Sequence, residues 1–249
     1  MNIESKTFLI TGANRGIGRA LVEEALSRGA ERVYAGTRQR FVHSDERVRS
    51  INLDVTNAGQ IEAAVEKIGS LDILVNNAGV DLRDDMSDRA GIDRHLAVNL
   101  FGTHDVTKTF LPLLVRAQGA IVNVLSLAAL ASVPFSPAYA IWKAAAFSIT
   151  QSRRALWTGR GVRVHAVFAG PVDTDMARSL DVPKASPESV ALAILDGLER
   201  GEEDIFPDRC QGASPLTGAM AGARCWSASS QLIRRTTRRK LPEVLMDSN

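Results

Sequence analysis

The stretch TGANRGIG, Thr11 to Gly18, follows almost directly on the apolar run TFLI. Its glycines stand at 12, 16 and 18, with Arg15 among them. Glycine permits positive φ and lets other groups approach the backbone closely. A helix that begins at such a turn points free N–H groups and its positive dipole end toward it. The segment is therefore a candidate diphosphate cradle; the blander reading is a tight turn with no ligand. A second signal lies in VYAGTRQR, where Gly36, Thr37 and Arg38 close the next strand without an acid. An Asp or Glu there would accept from the ribose 2′-hydroxyl of NAD, whereas a guanidinium attracts a 2′-phosphate through paired hydrogen bonds. Arg15 and Arg38 together predict NADP(H), with Arg40 a weaker candidate. Tyr139 and Lys143 are spaced i and i+4, so a helix would present both on one face. Such a pair standing alone is most often a surface contact. Ser126 sits in VLSLA, which lacks the G-x-S-x-G elbow of a Ser–His–Asp hydrolase.

Elements must position these residues. Short apolar runs alternate with helical patterns along the chain. The strand candidates are TFLI, RVYAGT, VRSINLDV, LDILVNNAG, GAIVNVLS, GVRVHAVFAG and a short EDIFPD. Helical spacing marks IGRALVEEALSRGA, stopped by Gly29, then Ala58 to Ile68, Arg89 to Ala117, Tyr139 to Leu156 and Pro187 to Arg200. Strands that are apolar on both faces and separated by helices imply a parallel sheet covered on both sides. Right-handed crossovers then give an α/β fold: one Rossmann-type doubly wound parallel sheet of about seven strands. The segment RQRFVHSDERVRS is short, so a helix there is trimmed or absent.

Bulk properties narrow the function classes. The 249 residues are 45% hydrophobic with a net charge of +2, which gives no global case for nucleic acid or an anionic membrane. No apolar run approaches the roughly 20 residues that span a bilayer. The opening MNIESKTFLITG lacks the pattern of a secretory leader. Cys210 and Cys225 are too few for a disulfide framework, and His43, His95, His104 and His165 form no metal-binding spacing. A cytoplasmic, metal-free protein is expected. Composition changes near Asp208: residues 209–249 are rich in Ser, Ala, Gly and Arg, with a basic cluster at Arg234, Arg235, Arg238, Arg239 and Lys240. Two domains are expected on this basis, 1–208 for chemistry and 209–249 as an atypical basic tail. The tail reads as loosely ordered and solvated, apart from a short helix around Gln231 to Leu241. An oligomer contact or a nucleic-acid arm are alternatives for it.

The ordered set TGANRGIG, LDV at 53–55, NNAG at 76–79, Asn99, Ser126 and YAIWK at 139–143 resembles the short-chain dehydrogenase/reductase family. The resemblance runs from about Lys6 to Asp208. It implies a cofactor site built from Gly12, Asn14, Arg15, Gly16, Ile17 and Gly18 of the first loop, with Thr37 and Arg38 at the second strand. Asp54 would bond the adenine ring beside Val55. Asn77, Ala78 and Gly79 would line the adenosine ribose while Asn76 braces the sheet. Gly170, Val172 and Thr174 would meet the amide or phosphate region. The resemblance also implies a catalytic set of Asn99, Ser126, Tyr139 and Lys143. In that set Tyr139 gives a proton to the oxygen of a carbonyl as its carbon receives hydride, and Ser126 orients the carbonyl. Lys143 holds the nicotinamide ribose and, with the cofactor's charge, brings the phenol toward working pH. Asn99 holds a water linking Lys143 to bulk.

The sequence departs from the family pattern in places. Ala169-Gly170-Pro171 replaces Pro-Gly after the sixth strand, and Ile141 and Trp142 fill positions where small residues are usual. Trp142 is expected at a subunit interface or at the approach to the site. Leu127, Ala128, Pro134, Phe135 and the segment Val172 to Val182 would line a mostly apolar pocket under a small lid. The implied function is an NADP(H)-dependent oxidoreductase, a carbonyl reductase reversible as an alcohol dehydrogenase. It would act on an apolar or aromatic ketone or aldehyde and assemble as a homodimer or homotetramer. The alternative is an NADP(H)-binding sensor or scaffold without turnover.

Overall fold

The computed structural model describes residues 1–81, 89–132 and 136–207. The expected tail, residues 209–249, and its short helix lie outside the described residues. Pro134 and Phe135 of the expected pocket also lie outside them.

Seven strands form one all-parallel sheet. They are β1 (Thr7–Thr11), β2 (Arg32–Thr37), β3 (Val48–Asn52), β4 (Ile73–Asn76), β5 (Ala120–Val124), β6 (Arg163–Val167) and β7 (Asp204–Ile205). Their spatial order is β3-β2-β1-β4-β5-β6-β7. The order reverses between β1 and β4, so the chain leaves those neighbouring strands in opposite directions and opens a crevice at their carboxyl ends. β1 is buried at all five positions, and β4 at all four, because helices cover both faces. On one face α1 (Gly16–Ser27) packs against α6 (Pro187–Arg200) over Leu21, Val22, Ile194 and Leu198. On the other, α2 (Ala58–Ile68) packs beside α4 (Thr103–Ala117), and α5 (Pro137–Trp157) lies against β6. No helix forms between β2 and β3 among the described residues.

The expected single helix over Arg89 to Ala117 is not uniform. It comprises α3 (Arg89–His95), a π-helical segment Leu96–Gly102 and α4. A π segment carries an extra residue per turn and is frequent at functional sites; this one carries Asn99. The helix containing Tyr139 starts earlier than expected, at Pro137, whose fixed φ and missing N–H suit a first helical turn. Asn57 caps α2 by accepting from the Gln60 N–H (3.0 Å), and Ser186 caps α6 from the Ser189 N–H (3.1 Å).

Beneath the crevice a buried polar ladder ties the two central strands to their helices. Asn76 Nδ2 donates to Thr107 Oγ1 (2.9 Å) and to Asn123 Oδ1 (2.8 Å), and Asn123 Nδ2 donates to Thr150 Oγ1 (3.0 Å). Asn76 therefore braces the sheet, and the rigid ends of β4 and β5 fix the loops that follow them.

Candidate active site

The first loop is held against the end of β4. Thr11 Oγ1 accepts from the N–H groups of Asn77 and Ala78 (3.0 Å each) and donates to the Val75 carbonyl (3.3 Å). Asn77 Nδ2 donates back to the carbonyls of Thr11 (3.0 Å) and Gly12 (3.2 Å). The Asn77 amide, expected to face the ribose, thus locks the two loops together. The packing leaves no room at Gly18, where an added Cβ would stand 2.3 Å from the Gly12 carbonyl oxygen. At Gly16, φ is +54° and a Cβ would meet Thr174 Cγ2 at 3.0 Å. The loop after β6, including Thr174, therefore closes over the start of α1. Nothing in α1 competes with an anion: Arg15 offers no side-chain cap, and the first turn holds no acid.

Charges at this end face water. Asn14, Arg15 and Arg38 are exposed; Arg15 pairs with Asp175 at 3.1 Å, across to the Thr174 loop. Thr37 is buried, its hydroxyl bonded to the Gln39 carbonyl. Asp54 Oδ1 accepts from the Thr56 N–H (2.9 Å) and the Thr56 hydroxyl (2.7 Å), which hold the carboxyl below its usual range with a smaller contribution from Arg38. Asp54 therefore shapes a turn without capping α2. Val55 is buried. Ile17, Ala78, Gly79, Gly170 and Thr174 are half-buried around the crevice, and Val172 is buried beside Ala185.

At the reaction end Ser126 and Lys143 are buried and Tyr139 is half-buried. Ser126 follows β5, where its Oγ accepts from the Ala128 N–H (3.1 Å) at the start of a short 3₁₀ turn. That contact leaves the hydroxyl proton free to donate. Tyr139 and Lys143 project from α5 on one face. Burial pushes the Tyr139 phenol well above its ordinary value; a hydrogen bond with Ser126 pulls it back and Asp81 pushes it further up. Lys143 is 5% exposed, donates to the Val124 carbonyl (2.8 Å) and lies 5.5 Å from the Tyr139 ring centroid. Burial lowers its pKa to about 7, with Asp81 opposing. Within the chain alone the phenol is pushed away from working pH, without the cofactor charge on which the expectation also rested. Loss of hydration dominates, the Asp81 charge adds to it, and only the Ser126 bond opposes them.

Asn99 is buried, and its amide is engaged at both ends. Oδ1 accepts from the Val80 N–H and Nδ2 donates to the Val80 carbonyl, each at 2.8 Å. Trp142 is neither at an outer surface nor at the approach to the site. It is 5% exposed, meets the Tyr139 ring edge-on at 5.3 Å, and carries the Lys143 ammonium 4.2 Å from its ring centroid. Three contributors were missed in the sequence. Thr11 lies within the quoted loop, and a stripe Ala138-Trp142-Ala146-Thr150 at i+4 spacing marks the buried face of α5. The third, Asp81, has no local signal: its partner Ser136, whose hydroxyl donates to Oδ1 at 2.8 Å, is 55 residues away.

This arrangement has relatives. A family model described as short chain dehydrogenase matches residues 6–184. Over 204 residues the chain is 36% identical to 2-(S)-hydroxypropyl-CoM dehydrogenase 3 of Xanthobacter autotrophicus, covering 75% of this chain and 79% of that one. It is 34% identical to oxidoreductase UcpA of Escherichia coli, covering 82% and 88%. Among solved structures, a short chain dehydrogenase from Burkholderia cenocepacia in complex with NADP superposes with a TM-score of 0.81 at 33% identity, covering 95% of this chain and 99% of that one. With the crevice at the β1–β4 switch and a matching model over most of its length, the chain belongs to the short-chain dehydrogenase family.

Proposed function

We propose that the protein is an NADP(H)-dependent carbonyl reductase, reversible as an alcohol dehydrogenase, with Tyr139 as proton donor. The observation that carries this reading is the convergence of Ser126, Tyr139 and Lys143 at the carboxyl end of β5, in a sheet whose first loop leaves the N-terminus of α1 uncapped. The acid-free first turn and the close approach at Gly18 fit a dinucleotide diphosphate held by Gly12, Asn14, Arg15, Gly16, Ile17 and Gly18. Arg15 and Arg38 would take the 2′-phosphate, and the NADP complex of the Burkholderia relative supports that choice. Asp54 and Val55 would take the adenine, Ala78 and Gly79 its ribose, and Gly170, Val172 and Thr174 the amide end. When bound, the cofactor supplies a hydride to the carbonyl carbon.

The remaining work falls to side chains of this chain. Ser126, whose hydroxyl also bonds the Tyr139 phenol, would turn its proton to the substrate carbonyl and fix its direction. Burial keeps Tyr139 protonated, the form a proton donor needs. As the carbonyl oxygen gains negative charge, the phenol O–H bond breaks and an alcohol O–H bond forms. An alkoxide is a far stronger base than a phenolate, so the transfer is favourable even from a phenol with a raised pKa. Lys143 would hold the nicotinamide ribose hydroxyls and, titrating near neutrality, return a proton to the phenolate. With the Asn99 amide committed to Val80, the water relay expected there rests on main-chain atoms. Measuring NADPH oxidation across a panel of aromatic ketones tests the reading. Turnover of several supports it; NADPH binding with no ketone reduced contradicts it. Sedimentation would check the expected homodimer or homotetramer.

A further inference from the structure

Asp81 stands directly beyond the segment that Asn99 clamps, at the side of the reacting groups. Its partner Ser136 is the residue just before α5, and Tyr139 and Lys143 follow it as a stripe within the first two turns of that helix. One turn spans about 5 Å of helix axis. In the proposed complex the Lys143 end of this stripe belongs to the cofactor ribose, which leaves the Ser136 end to the substrate. The Asp81 carboxylate is therefore on the substrate side, one turn from the phenol.

Among the described residues the carboxylate is short of partners. A carboxylate has roughly four acceptor sites, yet the described residues supply one hydrogen bond, from Ser136 at 2.8 Å to Oδ1. His95 Nε2 approaches the same oxygen only to 3.9 Å. Its Nδ1 lies 2.9 Å from the Gly91 carbonyl, which can only accept, so that nitrogen carries a proton. Asp81 Oδ2 has no hydrogen bond among the described residues, and the side chain is 22% exposed. Its field reaches both reacting groups, pushing the Tyr139 phenol and the Lys143 amine upward. An anion so placed penalises any acidic group brought beside it and gains from a cation.

Resting on the reductase reading, we infer that Asp81 is a specificity-determining residue whose carboxylate selects carbonyl substrates bearing an ammonium group a few ångströms from the reacting oxygen. This departs from the mostly apolar pocket that Leu127 and Ala128 indicated. A bound ammonium would bond to Oδ2 and offset the repulsion that raises the phenol. Acidic ketones would be excluded at the same place.

The test compares kcat/KM for three aryl ketones: β-aminopropiophenone, its neutral isostere butyrophenone, and the acidic β-benzoylpropionate. The wild type is expected to favour the ammonium ketone over the neutral one by about tenfold, or about 1.4 kcal/mol, and to disfavour the acid by a similar factor. Asp81→Asn keeps an acceptor for Ser136 and removes the charge, so both ratios should fall to about one. Should that variant fail to fold, the wild-type preference must still shrink as salt is raised. Equal rates with all three ketones, or a preference that persists in Asp81→Asn or in high salt, would overturn the role of Asp81 alone. No turnover of any of them, with NADPH bound, would overturn this role together with the reductase reading.

Discussion

At the α5 end of the site Lys143 and Trp142 are each 5% exposed, whereas at the α1 end the Arg15 side chain is 67% exposed and Arg38 stands in solvent. The same crevice therefore has a dry half and a wet half. In the dry half, protonation is set by burial: the phenol is driven up and the amine down before any ligand is considered. In the wet half, charges keep their hydration, and an exposed pair such as Arg15–Asp175 contributes little to stability. In the proposed function the proton-transfer groups stand in the dry half and the guanidiniums that would meet the 2′-phosphate stand in the wet half.

The comparison breaks most visibly at the phenol. Tyr139→Phe should cost about 10³-fold in kcat, the scale of general-acid catalysis, while the NADPH Kd measured by fluorescence stays within about twofold. A residual rate within tenfold of wild type would remove Tyr139 from the reaction. Trp142→Ala should destabilise the protein by about 4 kcal/mol in chemical denaturation, since it opens a cavity beneath the Tyr139 and Lys143 side chains. A loss under about 1 kcal/mol would mean the ring is not a buried support.

Lys143 gives a prediction with a definite sign. Its folded pKa is about 7 against 10.5 for the free side chain, so between those values the unfolded chain binds the extra proton. Stability therefore rises with pH across that window. Tyr139 acts only above about pH 10, where its raised pKa makes stability fall, so the rise is clean from about 7 to 10. Urea denaturation should show a gain on the order of 2–4 kcal/mol that Lys143→Met abolishes. A flat wild-type profile would contradict the burial argument.

The smallest effects are expected in the wet half. Arg15→Ala and Arg38→Ala should each raise the NADPH Kd by about tenfold, with little change for NADH or in Tm. These losses should shrink with added salt, because exposed charges are screened. An equal loss for NADH would show that the guanidiniums do not read the 2′-phosphate.

Much of this division was legible in the sequence. FLI and ILV, the apolar parts of the two central strands, carry no polar alternation because both sheet faces are covered, and the glycines of the first loop announced a close backbone approach. The Tyr139–Lys143 spacing placed both groups on one helix face. Their protonation could not be read, because it depends on what lies across from them. The π segment was hidden too: LAVNLFG carries no residue that forbids an ordinary helix, and its contacts, Asn99 on Val80 and Gly102 on Val55, are made across the fold. Asp81 was missed for a related reason, since its place beside the phenol arises from a contact spanning 55 residues.

The central claim, that this chain moves hydride to a carbonyl carbon while Tyr139 supplies the proton, is tested most directly by isotope transfer. NADPH deuterated at its reactive carbon would be incubated with butyrophenone and the wild-type or Tyr139→Phe protein, and the alcohol analysed by mass spectrometry. The account predicts one deuterium at the carbinol carbon with wild type and almost no alcohol with the variant. Alcohol without the label, or labelled alcohol formed equally well by Tyr139→Phe, would contradict it.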